Sequence, residues 1–250
     1  MNNKRVITKY GPTNFVVQNT TVWNFPDRGD WATHNSSYRG NCTPYVPRNL
    51  LHIYTKPGDI VLDPFAGSGT ALIECKLLGR NAIGIDCNPK SVELINNNLN
   101  FDCPNEGGID VIQGDACDLS FIGDEFIDFI FMHPPYADII KYSANGEKDL
   151  SLCSVEGFYE KMQLVANESY RVLKKGKICT MLIGDIRRNM VLTPLGDNTR
   201  RLFEKAGFTL KEIIMKEQHN CRGTYKWMNK GKESKFLLLM HEHLYVFIKK

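Results

Sequence analysis

Short apolar runs alternate with helix-spaced apolar positions along most of the chain. Ile60-Val61-Leu62 is a first strand-like run, ending on the carboxylate Asp63, and the helix-like stretch Ala71 to Leu78 follows. Ala82-Ile83-Gly84-Ile85 is a second run, ending on Asp86. The next segment starts near Pro89 and places Val92, Ile95 and Leu99 on one helical face. Ile109-Asp110-Val111-Ile112 is a third strand, with Asp115 just beyond it. Phe126 to Met132 is almost continuously apolar, the mark of a strand covered on both faces. Phe158 to Leu173 is an amphipathic helix closed by basic residues and Gly176. Ile178–Ile183, Phe208–Met215 and Phe236–Phe247 read as the last three strands, with a short helix from Thr199 to Ala206. This order predicts an α/β fold, doubly wound, with a mostly parallel seven-stranded sheet. Ligands of such sheets sit at the carboxyl ends of the strands. Asp63, Asp86, Asp115 and His133 all fall there.

The flanks are less regular. Residues 1–40 carry Gly11, Pro12, Pro26 and Gly29 among many Asn and Thr, and predict an irregular N-terminal arm with one short hairpin. Its aromatic-rich part, Trp23 to Trp31, either packs on the domain or contacts a nucleic acid. Residues 41–55 pass through Pro44 and become helical after Pro47, a tolerated helix start. Residues 41–250 read as one domain, in which 216–235 is a polar, basic segment. No internal repeat or low-complexity run is present.

Composition narrows the class. The 250 residues are 42% hydrophobic and 24% charged, as in globular proteins. No run is apolar enough for a membrane helix, and the polar start does not resemble a signal peptide. The eight cysteines form no C-x-x-C pair, which argues against zinc and for reduced thiols in a cytoplasmic protein. Net charge is only +3, but residues 171–250 hold 18 Lys+Arg against 7 Asp+Glu, and the first 170 hold 13 against 21. A basic C-terminal third can follow a phosphate backbone.

The chemistry concentrates at two strings. The first is Asp63-Pro64-Phe65-Ala66-Gly67-Ser68-Gly69-Thr70. Gly67 and Gly69 permit positive φ and let a ligand reach bare backbone, and the helix behind them offers unpaired N–H groups. The third glycine of a dinucleotide fingerprint is missing, which disfavours NAD. Asp86 closes the second strand, where a carboxylate can accept from both hydroxyls of a ribose. The second string is His133-Pro134-Pro135-Tyr136.

The first string resembles motif I of the DNA amino-methyltransferases, and the second resembles their motif IV, usually Asn, Asp or Ser before Pro-Pro-Tyr. Asn41 to Thr55, followed by Pro57-Gly58-Asp59, resembles their motif X. The order X–I–IV, with His241-Glu242-His243 in the closing strand, is similar to a circularly permuted beta-class enzyme. The resemblance covers roughly residues 40–250 and implies a Rossmann-like methyltransferase fold that binds S-adenosylmethionine. It places Asp63, Phe65, Ala66, Gly67, Gly69, Thr70, Asp86 and Asp115 at the cofactor, with Asp115 accepting from the adenine amino group. It places His133, Pro134, Pro135 and Tyr136 at the target. There the first side chain and the Pro134 carbonyl accept from the base amino group, the prolines fix that carbonyl, and the aromatic stacks on an extruded base. His133 departs from the family pattern: neutral imidazole can accept one hydrogen bond, and imidazolium none.

The implied reaction is methylation of cytosine N4 or adenine N6 in double-stranded DNA. Gln218, Asn220, Arg222 and Lys226 are candidates for DNA contact, a cognate restriction enzyme is a candidate partner, and either a monomer or a homodimer fits. An RNA base amino-methyltransferase of the same fold, acting on tRNA or rRNA, stays open. So does a catalytically inactive module that binds cofactor or DNA, a reading prompted by His133.

Overall fold

A computed structural model of the chain describes residues 4–139, 149–219, 228 and 235–250. The strands are β1 (Val22–Trp23), β2 (Ile60–Asp63), β3 (Asn81–Asp86), β4 (Ile109–Gln113), β5 (Ile127–Met132), β6 (Leu173–Ile183), β7 (Ile186–Arg188), β8 (Val191–Thr193), β9 (Thr209–Glu217) and β10 (His241–Ile248). The helices are α1 (Tyr45–Tyr54), α2 (Thr70–Leu77), α3 (Pro89–Leu99), α4 (Val155–Val172) and α5 (Leu195–Lys205). Eight strands form one sheet in the order β1-β9-β10-β6-β5-β2-β3-β4. The run from β6 to β4 is parallel throughout, and β10 is antiparallel to both its neighbours.

The period-2 pattern of the strands divides the core between the two faces. Phe129 and Phe131 of β5 join Leu50 of α1, Leu72 of α2 and Ile95 of α3. Ile130 and Met132 face the other way, onto Phe158, Met162 and Val165 of α4 and Phe203 of α5. β5 is buried at every position, as its apolar run predicts. Helix starts follow local chemistry. The Asn88 side chain accepts from the Lys90 amide at 3.0 Å, with Pro89 opening α3, and Ser154 Oγ accepts from the Gly157 amide at 3.2 Å.

Several elements differ from the sequence expectation: β6 begins at Leu173 rather than Ile178, and α5 runs Leu195–Lys205 rather than Thr199 to Ala206. The sheet gains an eighth strand, because Val22–Trp23 of the arm pairs with Met215 and Lys216 at the edge of β9. The last strand begins at His241 rather than Phe236. Its partner β9 ends at Glu217, opposite His241, so among the described residues no strand lies beside 236–240, and Leu237 is 84% exposed. The small hairpin β7–β8 carried no apolar alternation long enough to announce it.

The arm is a built part of the domain. Trp23, Phe25 and Trp31 are buried. Glu74 of α2, fully buried, ties the arm down: it accepts from Trp31 Nε1 at 2.6 Å and Arg48 at 2.6 Å, and lies 2.7 Å from His34 Nε2. The arm therefore reaches the carboxyl edge of the sheet in a fixed position.

Candidate active site

At that edge a cleft of about 830 Å³ opens over the turn between β2 and α2. Asp63, Phe65, Ala66, Gly67, Thr70 and Asp86 line it, as do Ala116, Asp149 and Leu150. Gly67 and Gly69 have φ of +56° and +83°, and Gly69 caps α2. A side chain at Gly67 would press on the Tyr38 ring, its Cβ 3.3 Å from Cε1. The turn thus leaves room for a ligand only as bare backbone. Gly69 itself does not line the cleft; its place is the helix cap, packed against Ile95.

The carboxylates have distinct environments. Asp86 Oδ2 accepts from the Gly67 amide and Oδ1 from the Asn88 amide, both at 2.9 Å. The Ser91 side chain hydrogen-bonds it as well; a carboxylate offers about four acceptor sites, so Asp86 keeps acceptor capacity for a ligand hydroxyl. Burial raises its pKa, and the neighbouring Asp149 adds to this. Asp63 is 3% exposed and accepts from the Phe65 amide at 3.1 Å. Burial pushes it up to about 7, with Asp86 adding to the rise. Asp115 is not brought to the cleft. Its Oδ1 accepts from the Cys117 amide at 2.9 Å and holds the turn, and the adjacent Ala116 forms the wall instead.

A second cavity, about 1650 Å³, adjoins the first and shares Tyr38, Gly40, Asn41, Cys42, His133 and Pro135 with it. Pro134, Tyr136, Lys216, Gln218 and Glu242 complete its inner wall, and Arg28 and Arg39 stand at its rim. His133 and Pro135 thus stand between two spaces, one over the Gly-rich turn and one beside Tyr136 and Glu242. His133 Nε2 lies 2.9 Å from the Tyr136 hydroxyl, which donates to Glu242 Oε1 at 2.6 Å. Lys216 Nζ donates to Glu242 Oε2 at 2.8 Å. Burial lowers the His133 pKa and keeps the imidazole neutral. Burial would raise Glu242, but Lys216, His133 and Tyr136 outweigh it and hold the carboxyl near 2. The Tyr136 ring packs over Gly184, where a Cβ would stand 2.9 Å from Cε2.

Of the basic-segment candidates, Gln218 lines the second cavity, whereas Asn220, Arg222 and Lys226 lie outside the described residues. Sequence reasoning missed Tyr38, Asn41, Asp149, Lys216 and Glu242. The arm residues carried no periodicity, and Lys216 and Glu242 sit in strands where charge reads as a solvent face. Among the described residues no group of His, Cys, Asp and Glu could hold a metal, the seven cysteines are free thiols, and no helix is long and apolar enough to cross a membrane.

The sheet order, with one antiparallel strand next to its edge, and a glycine turn at the carboxyl end of β2 define the Rossmann-like fold that S-adenosylmethionine-dependent methyltransferases also have. The chain belongs to the family described as the RMKL-like methyltransferase domain, which matches residues 53–181. The DNA methylase family matches residues 2–97. A tRNA (guanine(10)-N2)-dimethyltransferase of Methanothermobacter thermautotrophicus is 37% identical over 116 residues, 46% of this chain and 33% of that protein. The type II methyltransferase M.XycI of Xanthomonas campestris pv. cyanopsidis is 38% identical over 74 residues, 30% of this chain and 23% of that protein. The chain therefore matches a third or less of the length of these relatives. Among solved structures, a SAM-dependent methyltransferase from Methanosarcina mazei superposes with a TM-score of 0.55 at 16% identity, over 80% of this chain and 96% of that one. TrmN from Thermus thermophilus gives 0.54 at 20% identity, over 86% and 51%.

Proposed function

We propose that this protein methylates an exocyclic amino group, cytosine N4 or adenine N6, of a base extruded from double-stranded DNA. The observation that carries the reading is the pair of adjoining cavities with His133 and Pro135 at their junction and Pro134 in the second. S-adenosylmethionine, when bound, supplies an electrophilic methyl group. The Gly-rich turn gives it backbone, and Asp86 gives its ribose an acceptor. In the second cavity the Pro134 carbonyl and the neutral His133 accept from the amino N–H bonds and aim the nitrogen lone pair across the junction. The step is placement more than covalent catalysis. The Tyr136 ring offers a stacking face for the base. Arg28, Arg39 and Gln218, with Asn220, Arg222 and Lys226, are assigned to the phosphate backbone and base edges. We read the motif order as a circular permutation of the beta-class arrangement, in a cytoplasmic protein acting as monomer or homodimer, with a restriction enzyme as a candidate partner.

A tRNA reading has its own support, in the 116-residue match to a tRNA guanine-N2 enzyme. The two are separated by expression in a host without amino-methylated bases, followed by mass spectrometry of DNA and RNA nucleosides. N6-methyldeoxyadenosine or N4-methyldeoxycytidine, absent with His133→Ala, supports the DNA reading. A methylated ribonucleoside alone replaces it with the tRNA reading.

A further inference from the structure

A chain of hydrogen bonds crosses three elements behind the target cavity: His133 after β5, Tyr136, Glu242 on β10 and Lys216 on β9. Glu242 and Lys216 are both buried. A buried ion pair is weak evidence for stability, and this pair ends on a residue that lines both cavities.

The proton positions follow from the chemistry of the groups. Glu242 is a carboxylate and only accepts. At 2.6 Å from Glu242 Oε1, the single Tyr136 proton points to that oxygen. The Tyr136 oxygen can then only accept along its 2.9 Å contact with His133, so Nε2 carries the imidazole proton. Neutral imidazole has one N–H, which leaves the lone pair on Nδ1. Lys216 occupies Oε2 and leaves Oε1 to Tyr136.

We propose that Glu242 and Lys216 are positioning residues that act through Tyr136 to hold His133 in the Nε2–H tautomer, so that Nδ1 takes the proton the target amino group must lose. The proposal rests on the amino-methylation reading above. In the transfer, the amino lone pair forms the N–CH3 bond and the S–CH3 bond breaks, its electron pair going to sulfur. The nitrogen, left with a positive charge and a surplus proton, passes that proton to Nδ1. The imidazolium is balanced through Tyr136 by the Glu242 carboxylate and then releases the proton to water. An Asn or Ser in the same place could accept a hydrogen bond but could not hold the proton. The charged or titratable groups around His133 are Glu242, which favours imidazolium, and Lys216 and Arg28, which oppose it. Cys42 lies in the same wall, its thiol pushed up to about 12 by burial.

The test uses the full chain with 15N-labelled histidine and no cofactor, with His133 assigned by the signal lost in His133→Asn. The wild type is expected to show a protonated Nε2 and an unprotonated Nδ1. Tyr136→Phe keeps the ring but cuts the chain, and is expected to give mixed tautomers. Glu242→Gln can donate to the Tyr136 oxygen, which lets the phenol donate to Nε2 and moves the proton to Nδ1. Its kcat is expected to fall roughly 10²-fold or more with cofactor affinity unchanged, and the acid limb of its pH profile to move to lower pH. Lys216→Met, a second probe should Glu242→Gln fold poorly, is expected to lower kcat less. A wild-type proton on Nδ1, or a Glu242→Gln protein with wild-type kcat, overturns the proposal and leaves the amino-methylation reading standing. A wild type that binds cofactor and methylates no base amino group overturns that reading, and with it the acceptor role of Nδ1; the tautomer spectrum still reads the hydrogen-bond chain separately.

Discussion

Glu74 is the point at which the stability of the arm can be worked through. Its two oxygens face Trp31 Nε1, His34 Nε2 and an Arg48 nitrogen at 2.6, 2.7 and 2.6 Å. Glu74→Ala removes these partners together and strands Arg48, whose Nε has no hydrogen-bond partner among the described residues. Hydrogen bonds to a charged group contribute about 1.5–3 kcal/mol each, but they are not additive, and breaking a buried pair from one side costs about 3–5 kcal/mol. Taking about 4 kcal/mol, the melting temperature should fall by roughly 8–16 °C for a chain of this size. Glu74→Gln keeps an acceptor for Trp31 and loses the charge facing Arg48, so it should fall between the two. Urea unfolding with an unchanged m-value is the assay. The arm also supplies Tyr38 and Gly40 to the cleft over the Gly-rich turn, and Asn41, just after it, places Nδ2 3.4 Å from Ser68 Oγ on that turn. Cofactor affinity should therefore fall with stability. A loss below about 1 kcal/mol, within the range of a surface ion pair, would refute the arm's role.

Other expectations follow from single groups. Asp63 titrates at about 7 in the folded protein, above its ordinary 3.8. Native stability is therefore lost as pH rises from about 4 through 7, and Asp63→Asn should raise the urea midpoint at pH 8 relative to wild type but not at pH 4. A cationic cofactor favours the carboxylate, so its binding should release a proton and weaken as pH falls below 7, which calorimetry in two buffers of different ionisation enthalpy detects. Gly67→Ala strains a residue at φ +56° and pushes on Tyr38; a cost of about 1–3 kcal/mol should weaken cofactor binding roughly tenfold or more, read by titration calorimetry. Gly184→Ala displaces the Tyr136 ring, so kcat should drop roughly tenfold or more with cofactor affinity retained, read by steady-state kinetics.

The parallel half of the sheet was legible because each strand there is a short apolar run with a helix behind it. Asp63 and Asp86 were legible for the same reason: each closes such a run, and the topology sends each to the carboxyl edge. Asp115 shared that logic and missed the cleft by one residue, because its carboxylate was needed to close its own turn. Tyr38 and Asn41 were hidden, since an irregular segment held by Glu74 and Arg28 has no period to read. Glu242 and Lys216 were hidden because their partners are far apart in sequence and meet only through the antiparallel pairing of β10 with β9.

The most direct measurement incubates the protein with methyl-labelled S-adenosylmethionine and unmethylated duplex DNA, with total RNA in parallel, and digests both to nucleosides. Label in N6-methyldeoxyadenosine or N4-methyldeoxycytidine, lost with His133→Ala, is the predicted result. Cofactor binding with no label in any DNA amino group, or label in RNA alone, would contradict it.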